Sequence, residues 1–174
     1  DVTQKAGIKA NGQGMGAYWG DLNNDGHPDL FLTNDGPNLL FQNNGNGTFT
    51  DITAKAGVEG GEHWHLSAAI ADFDHDGDLD IYVGNFVDLA RVSSEIKLSD
   101  LMGKLSNLPG NACHFFRNNS DGTFADVAEE AKIQDPLAKI PSVAFTDFDN
   151  RRDIDFWMVN QGSTVRLFSN QRVG

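Results

Sequence analysis

The sequence predicts an all-β protein made of β-propeller blades, which are four-stranded antiparallel sheets. Three observations predict this fold: an acidic nine-residue loop occurs three times, an Asn-rich turn follows each copy, and short apolar segments flank both. A repeat of about 50 residues is typical of solenoids and propellers. The 174 residues hold about three such repeats, fewer than the four to eight blades of a typical propeller. The chain is therefore predicted to be a segment of a larger propeller.

The second acidic loop, residues 72–80, is the most regular copy. Its odd positions are all aspartate, and Gly77 stands at position 6. Five like charges this close together repel unless a cation neutralises them. Carboxylates suit Ca²⁺, and the glycine permits the turn that gathers alternate side chains around one point. The predicted ligands are Asp72, Asp74, Asp76, the backbone carbonyl of Asp78, and Asp80.

The first acidic loop, residues 21–29, has the same frame with fewer carboxylates. Position 3 is an asparagine, and Gly26 again stands at position 6. Because ligand charge tunes calcium affinity, weaker binding is predicted here. The side chains of His27 and His75 are predicted to face solvent. The predicted ligands are Asp21, Asn23, Asp25, the backbone carbonyl of His27, and Asp29.

The third acidic loop, residues 147–155, departs from the pattern. Arg151 replaces the acid at position 5, and Arg152 replaces the glycine at position 6. A guanidinium can pair with neighbouring carboxylates and supply the positive charge of a cation. This loop is therefore predicted to be metal-free. Its acidic residues are Asp147, Asp149, Asp153 and Asp155.

The segments around each loop predict four short strands per unit. Two strands flank the acidic loop, one ends in the Asn-rich turn, and one follows that turn. The turn block occupies residues 40–49 and 115–124, and its beginning recurs at 167–170. An EF-hand is excluded, because it needs a glutamate at the twelfth position. The residues at that position are Leu32, Val83 and Met158.

The spacing of these blocks predicts three units. They are expected at residues 9–58, 59–133 and 134–174. Residues 1–8 repeat the block that closes a unit, so they or another chain are expected to complete the third sheet. The second unit carries an insertion near residues 88–111, in which residues 95–105 have the apolar spacing of a helix. This insertion could serve as a partner surface or merely cap the blade.

These motifs resemble FG-GAP/VCBS repeats, the calcium-loop blades of integrin α-subunit propellers. The block that begins with the Asn-rich turn at 43–49 and ends at 58 is most similar to ASPIC/UnbV and cartilage-acidic-protein-like proteins. The resemblance covers nearly the whole chain except the insertion. It implies a propeller of about seven blades, Ca²⁺ in the blade loops, and secretion.

Composition excludes several classes of function. The net charge is −12, and twelve of the 25 acidic residues lie in the three loops. No basic stripe is present, so no nucleic-acid partner is predicted. No apolar run is long enough to span a bilayer. Cys113 is the single cysteine, which excludes an internal disulfide, and it is predicted to be a buried small apolar residue.

Two histidine-containing motifs offer weaker metal candidates. His63 and His65 are two residues apart, so on a strand they would share one face. A polar strand entrance with Trp64 packed between blades is the preferred interpretation. Cys113 and His114 are adjacent, but no second cysteine completes a haem-attachment pattern.

The predicted function is non-enzymatic. The chain is expected to be an extracellular or periplasmic Ca²⁺-binding propeller module, in which the metal is structural and the surface binds a protein or glycan, as in adhesion. One alternative is part of a secreted propeller enzyme that acts on polysaccharide, although no catalytic triad motif is present. Another is a structural subunit that forms oligomers or filaments through open blade edges.

Overall fold

The computed structural model describes residues 1–87, 108, 110–134, 138–161 and 164–170. These residues form three antiparallel sheets and one short helix, which confirms the predicted all-β blade fold. The predicted helix at 95–105 and most of the insertion lie outside the described residues. Among the residues described, no helix has the length and apolar character needed to cross a membrane.

The first sheet has the strand order β1-β2-β3. Strand β2 covers two strands that the sequence predicts separately, with Gly36 at φ 102° between them. A single helical turn, α1 (Thr53–Ala56), follows the sheet and ends at Gly57, which adopts the left-handed conformation common at helix ends. The strands are β1 (Gln13–Gly20), β2 (Asp29–Asn43) and β3 (Phe49–Asp51).

The second and third sheets follow in chain order. The second has the complete four-stranded arrangement that the sequence predicts for a blade, in the order β4-β5-β6-β7, and the third has the order β10-β9-β8. The strands of the second sheet are β4 (His65–Ala71), β5 (Asp80–Asn85), β6 (His114–Asn118) and β7 (Phe124–Asp126). Those of the third are β8 (Ser142–Thr146), β9 (Asp155–Val159) and β10 (Arg166–Phe168).

The hydrophobic core lies in two layers, one on each side of the second sheet. Strand β5 is buried along its whole length, and alternate side chains of a strand point to opposite faces. Ile81 and Val83 accordingly pack into the layer shared with the first sheet, whereas Tyr82 packs into the layer shared with the third. Strand β6 divides in the same way, with Phe116 in the first layer and Phe115 in the second.

Each acidic loop joins the first two strands of its sheet, so the three loops occupy equivalent places. The register is the same in every sheet, because the residue before the loop pairs with its last aspartate. These pairs are Gly20 with Asp29, Ala71 with Asp80, and Thr146 with Asp155.

Residues 1–8 lie beside the first sheet. The Phe49 N–H donates a hydrogen bond of 2.7 Å to the Ala6 carbonyl, and Gly7 turns there with φ 78°. The unit boundaries at 9–58, 59–133 and 134–174 stay predictions, as does the completion of the third sheet by another segment.

Candidate metal centres

The three acidic loops share one backbone conformation. In each, positions 4 and 6 have positive φ, a region that side chains rarely adopt. Position 4 is Asn24 (56°), His75 (61°) or Asn150 (64°). Position 6 is Gly26 (86°), Gly77 (98°) or Arg152 (67°). The third loop therefore keeps the fold of the other two with an arginine where they have glycine.

The last aspartate of each loop is buried and accepts hydrogen bonds from two parts of its own sheet. Asp29, Asp80 and Asp155 are between 1% and 2% exposed. One carboxylate oxygen accepts the N–H of the residue at position 2, at 3.1 to 3.2 Å. The other accepts the N–H of an asparagine in the Asn-rich block, at 2.8 to 2.9 Å. These asparagines are Asn43, Asn118 and Asn170.

The first aspartate accepts fewer backbone hydrogen bonds in the second loop than in the other two. The two carboxylate oxygens of Asp21 accept the N–H groups of positions 5 and 6, and those of Asp147 do the same. In the second loop only one oxygen of Asp72 is used, by the Gly77 N–H at 3.2 Å. The other, Oδ1, is buried and has no hydrogen-bond partner among the described residues.

The second loop fits a calcium ion. Carboxylate oxygens of Asp72, Asp74 and Asp76 all lie within 4.8 Å of one another. Buried polar atoms normally have a partner, and a divalent cation is the partner that three clustered carboxylates and the buried Asp72 Oδ1 would share. Gly77 leaves open space where a side chain would begin.

Asp80, the fifth predicted ligand position, stands apart from that group. Burial raises its pKa to about 6, and the nearby Asp74 and Asp76 charges raise it further, while hydrogen bonds from Asn118 and Phe73 oppose the rise. The charged form of Asp80 is therefore less favourable than the charged form of an ordinary carboxylate. A nearby cation would favour the charged form.

The Asp78 side chain points to its neighbours rather than serving the loop alone. It accepts a hydrogen bond of 2.6 Å from the Asn24 amide of the first loop and another from the Ser120 hydroxyl. Metal binding by its backbone carbonyl stays a prediction.

The first loop brings its predicted side chains together through hydrogen bonds. The Asn23 amide donates to Asp25 at 2.9 Å, and Asp21 accepts the Asp25 N–H at 3.0 Å. The Asn23 contact, together with the His27 N–H, lowers the pKa of Asp25. The His27 side chain is exposed, and the carbonyl role predicted for this residue stays a prediction, as does the ligand role of Asp29.

The third loop contains the internal ion pair expected of it. Arg151 Nε lies 3.1 Å from an Asp149 carboxylate oxygen. Asp147, Asp149 and Asp155 nevertheless present oxygens within 4.8 Å of one another. Asp153, at position 7, lies apart from this group and 3.6 Å from His75 Nε2 of the second loop. The absence of metal from this loop stays a prediction.

Neighbouring sheets are joined by contacts that recur. The Asn118 amide donates to the Leu22 carbonyl of the preceding loop at 2.8 Å, and the Asn170 amide donates to the Phe73 carbonyl at 2.8 Å. Sequence reasoning missed this role, although the recurrence of an asparagine after each Leu-Phe or Phe-Phe pair marks its position. We call these two hydrogen bonds the amide latches. They couple the second and third Asn-rich blocks to the acidic loop of the sheet before each of them.

The loops also contact one another directly. Position 4 of one loop reaches position 7 of the next, since Asn24 contacts Asp78 and His75 contacts Asp153. The predicted solvent-facing side chain of His75 is thus half-buried between two loops. The conformation of one loop is therefore linked to that of its neighbour.

The remaining sequence candidates lie away from the loops. Cys113 is fully buried, with its Sγ 3.4 Å from the Ile133 carbonyl. Trp64 spans two sheets, because its indole N–H donates to Met15 and its ring packs edge-on against Phe86.

Comparison with known proteins agrees with this architecture. Residues 21–83 match the family model described as FG-GAP-like repeat. The chain is 31% identical over 173 residues to cartilage acidic protein 1 of Mus musculus and of Homo sapiens, covering 97% of this chain and 23% of each relative. The Xenopus tropicalis protein of that name is 31% identical over 163 residues, 92% of this chain and 22% of the relative.

The chain thus spans about a quarter of the length of the curated relatives that it matches. The predicted resemblance is confirmed by the family match and by these relatives. The chain is a propeller-type module that carries an FG-GAP-like repeat at residues 21–83 and is similar to cartilage acidic protein 1 along nearly all of its length.

Proposed function

We propose that this chain is a calcium-stabilised, non-enzymatic propeller module of an extracellular protein. The buried Asp72 Oδ1, which lacks a hydrogen-bond partner among the described residues, carries the calcium part of this proposal. It lies beside the carboxylates of Asp74 and Asp76. When bound, Ca²⁺ would neutralise these charges and tie β4 to β5 at their shared end.

The residues around the loops extend that stabilisation to neighbouring sheets. Asp78 holds Asn24 of the first loop, and the amide latch from Asn118 holds Leu22 in place. Fixing the conformation of the second loop should therefore also stabilise these two hydrogen bonds to the first sheet. A ligand that binds only the folded form stabilises it in proportion to its occupancy.

The names of the relatives support an extracellular, non-enzymatic role. Each is named as an acidic protein of cartilage, and none of the names describes a reaction. The alternative of a polysaccharide-acting enzyme has no comparable support, since the most concentrated carboxylates belong to the loops. A protein or glycan partner is part of the proposal.

Self-association is a second candidate, and one observation favours it. Phe148 is 49% exposed, whereas its equivalent in the first loop, Leu22, is 6% exposed beneath the second sheet. Trp157 and Val159 on β9 are also more than a third exposed. Apolar side chains at these places suit a further blade or a second chain.

Thermal unfolding with and without calcium tests the main proposal. We expect millimolar Ca²⁺ to raise the melting temperature by several degrees, about 3–8 °C, over that in EGTA. The double variant Asp74→Asn, Asp76→Asn should lose most of that rise. Glu59→Gln, an exposed acid outside the loops, is the matched control and should keep it.

An equal rise in the double variant would overturn the assignment of the second loop. No rise in the unmodified chain would overturn the calcium role itself. Light scattering on the same samples tests the second candidate: a mass above one chain that returns to one chain in Phe148→Ser supports self-association, and a single-chain mass at all concentrations contradicts it.

A further inference from the structure

The side chain of Asn24, at position 4 of the first acidic loop, contacts the neighbouring sheet. Its amide nitrogen lies 2.6 Å from Asp78 Oδ1 and 3.4 Å from the Gly77 carbonyl oxygen. Both partners belong to the second acidic loop, where they stand at positions 7 and 6. The first sheet therefore contributes a hydrogen-bond donor to the second loop.

The two residues that Asn24 contacts also hold predicted calcium ligands. The Gly77 N–H donates a hydrogen bond to Asp72 at 3.2 Å. The Asp78 N–H donates to Asp76 Oδ1 at 2.9 Å. Asp72 and Asp76 belong to the group of carboxylates whose oxygens lie within 4.8 Å of one another. The turn at 77–78 thus contacts the carboxylates through its N–H groups and Asn24 through its oxygens.

A second set of hydrogen bonds supports the Asp78 side chain. It accepts a hydrogen bond from the Ser120 hydroxyl, and the Ser120 N–H donates to Asn118 Oδ1 at 3.1 Å. The Asn118 amide in turn donates to the Leu22 carbonyl of the first loop at 2.8 Å. Two separate routes therefore join Asp78 to the first loop, one through Asn24 and one through Leu22.

The contact between loops recurs at the next pair of sheets. His75, at position 4 of the second loop, has its Nε2 3.6 Å from Asp153, at position 7 of the third loop. The side chains differ from those of the first pair, but position 4 again meets position 7 of the following loop. The contact therefore follows from how the sheets stack, and not from one pair of residue types.

Backbone conformation alone does not account for the contact that Asn24 makes. Its φ of 56° lies in the left-handed region, which asparagine tolerates and glycine adopts most easily. This requirement does not decide where the side-chain amide lies, whereas the 2.6 Å contact places it on the second loop. Glycine at this position would keep the backbone conformation and remove the contact.

The second loop needs such support because its carboxylates repel one another. Five aspartates lie within nine residues, and their repulsion favours an open loop. The apparent affinity for a cation falls with the fraction of molecules whose loop is ready to bind. A hydrogen bond that holds the turn at 77–78 increases that fraction before the cation binds.

We propose that Asn24 is a positioning residue for calcium binding by the second loop, so that the first sheet helps to build this site. The inference rests on the calcium role proposed above for the second loop. Asn24 acts through the turn at 77–78, which holds Asp72 and Asp76 by its N–H groups. Groups that orient metal ligands typically change metal affinity by about tenfold or more.

A calcium titration followed by nuclear magnetic resonance tests this role. The full chain, isotopically labelled, is titrated with Ca²⁺ while the backbone amide signal of Gly77 is followed. This N–H donates to Asp72, so its signal reports on the second loop. In Asn24→Gly we expect the midpoint of the Gly77 titration to move to a Ca²⁺ concentration about tenfold higher.

Two further variants show whether the contact itself is responsible. Asn150→Gly is the matched control, because it makes the same substitution at position 4 of the third loop, where φ is 64°. Its Gly77 midpoint should equal that of the unmodified chain. Asp78→Ala breaks the same contact from the second loop and should also raise the midpoint. Adding Asn24→Gly to Asp78→Ala should then have little further effect.

Melting temperatures separate positioning from structural support. A contact that only joined the sheets would lower the melting temperature of Asn24→Gly equally in EGTA and in millimolar Ca²⁺. Weaker binding instead reduces the rise that calcium causes. We therefore expect a smaller calcium-induced rise in Asn24→Gly than in Asn150→Gly.

The possible failures are distinguishable. An unchanged Gly77 midpoint in folded Asn24→Gly would overturn the positioning role and leave the calcium role of the second loop intact. A Gly77 signal that does not respond to Ca²⁺ in the unmodified chain would overturn both. Should Asn24→Gly not fold, an unchanged midpoint in Asp78→Ala would equally overturn the positioning role.

Discussion

A single backbone position distinguishes the third acidic loop from the other two. Arg152 has φ 67° where Gly26 and Gly77 have positive φ at no steric cost. Its backbone N–H still donates to Asp147 at 2.9 Å, so the loop keeps its hydrogen bonds. Arg152 therefore adopts a strained left-handed conformation, and Arg151 beside it supplies positive charge to the same loop.

Arg152→Gly should stabilise the chain. Relief of a left-handed non-glycine residue is worth about 1–2 kcal/mol, and the added entropy of glycine in the unfolded chain takes back about 0.5–1 kcal/mol. We expect a net gain of about 0.5–1 kcal/mol in urea unfolding. Arg152→Ala removes the same charge and keeps the strain, so it should not show this gain. Equal stability of the two variants would show that charge, not φ, decides.

The burial of His65 predicts that the stability of the chain depends on pH. Its pKa falls from 6.5 to about 4 on folding, chiefly because of burial and with smaller effects from His63 and His114. The unfolded chain binds the proton more readily, so this contribution to stability is present above pH 6.5 and is lost as the pH falls from 6.5 to 4. Asp126, which forms a hydrogen bond with the neighbouring His114, is an acidic group beside these rings.

Nuclear magnetic resonance can measure this directly. In buffer free of transition metals, the His65 ring signal, identified by its absence in His65→Gln, should titrate near pH 4. The shift corresponds to roughly 3 kcal/mol of stability. A midpoint near pH 6.5 would mean that the imidazole is solvated and would contradict the prediction.

At the scale of elements, the sequence predicted what local chemistry determines. The loop frame at 72–80 and the Asn-rich block at 115–124 lie where a four-stranded blade requires them. Each contains its own turn residues and alternating apolar flanks, so short-range rules suffice. The all-β fold therefore followed from the sequence.

Contacts between distant residues could not be predicted in the same way. The Asn118 amide meets the Leu22 carbonyl 96 positions away, and His114 meets His65 across β5. No local periodicity specifies either pairing, because each depends on how one sheet packs on another and on strand register. The continuous β2 was missed for a related reason: Gly36 suggests a break, but the chain on both sides pairs within one sheet.

The amide latches predict unequal effects of two similar substitutions. Asn118→Ala removes the hydrogen bonds that its buried amide donates to the Leu22 and Leu79 carbonyls, together with the one that its side-chain oxygen accepts from the Ser120 N–H. We expect a loss of about 2–3 kcal/mol in urea unfolding. Asn43→Ala is the matched control, since its amide donates to Pro28 within its own sheet at an exposed site. It should cost about 0.5–1 kcal/mol, and equal losses would contradict a latch between sheets.

At the scale of the whole molecule, the three sheets form a linear array. The second sheet is covered on both faces, and all six residues of β5 are buried. In the outer sheets, Trp19 on β1 is 57% exposed and Trp157 on β9 is 38% exposed. In arrays whose units contact only their neighbours, stability is a sum of unit and interface terms. The array should therefore be most stable at its centre.

Hydrogen exchange with mass spectrometry tests this distribution. Peptides containing β5 should exchange most slowly in Ca²⁺, and those containing β8 should exchange at least about tenfold faster, because fewer interfaces must open to expose them. Substitutions at the two interfaces test the same description from either side. Met158 is fully buried between the second and third sheets, so Met158→Ala should cost about 2–5 kcal/mol at that interface. This variant should accelerate exchange in β8 and β9 while exchange in β1 and β2 stays unchanged. Val83→Ala, at the interface of the first two sheets, should instead accelerate exchange in β1 and β2. Uniform acceleration by either variant would mean that the sheets unfold as one cooperative unit, and the array description would then be wrong.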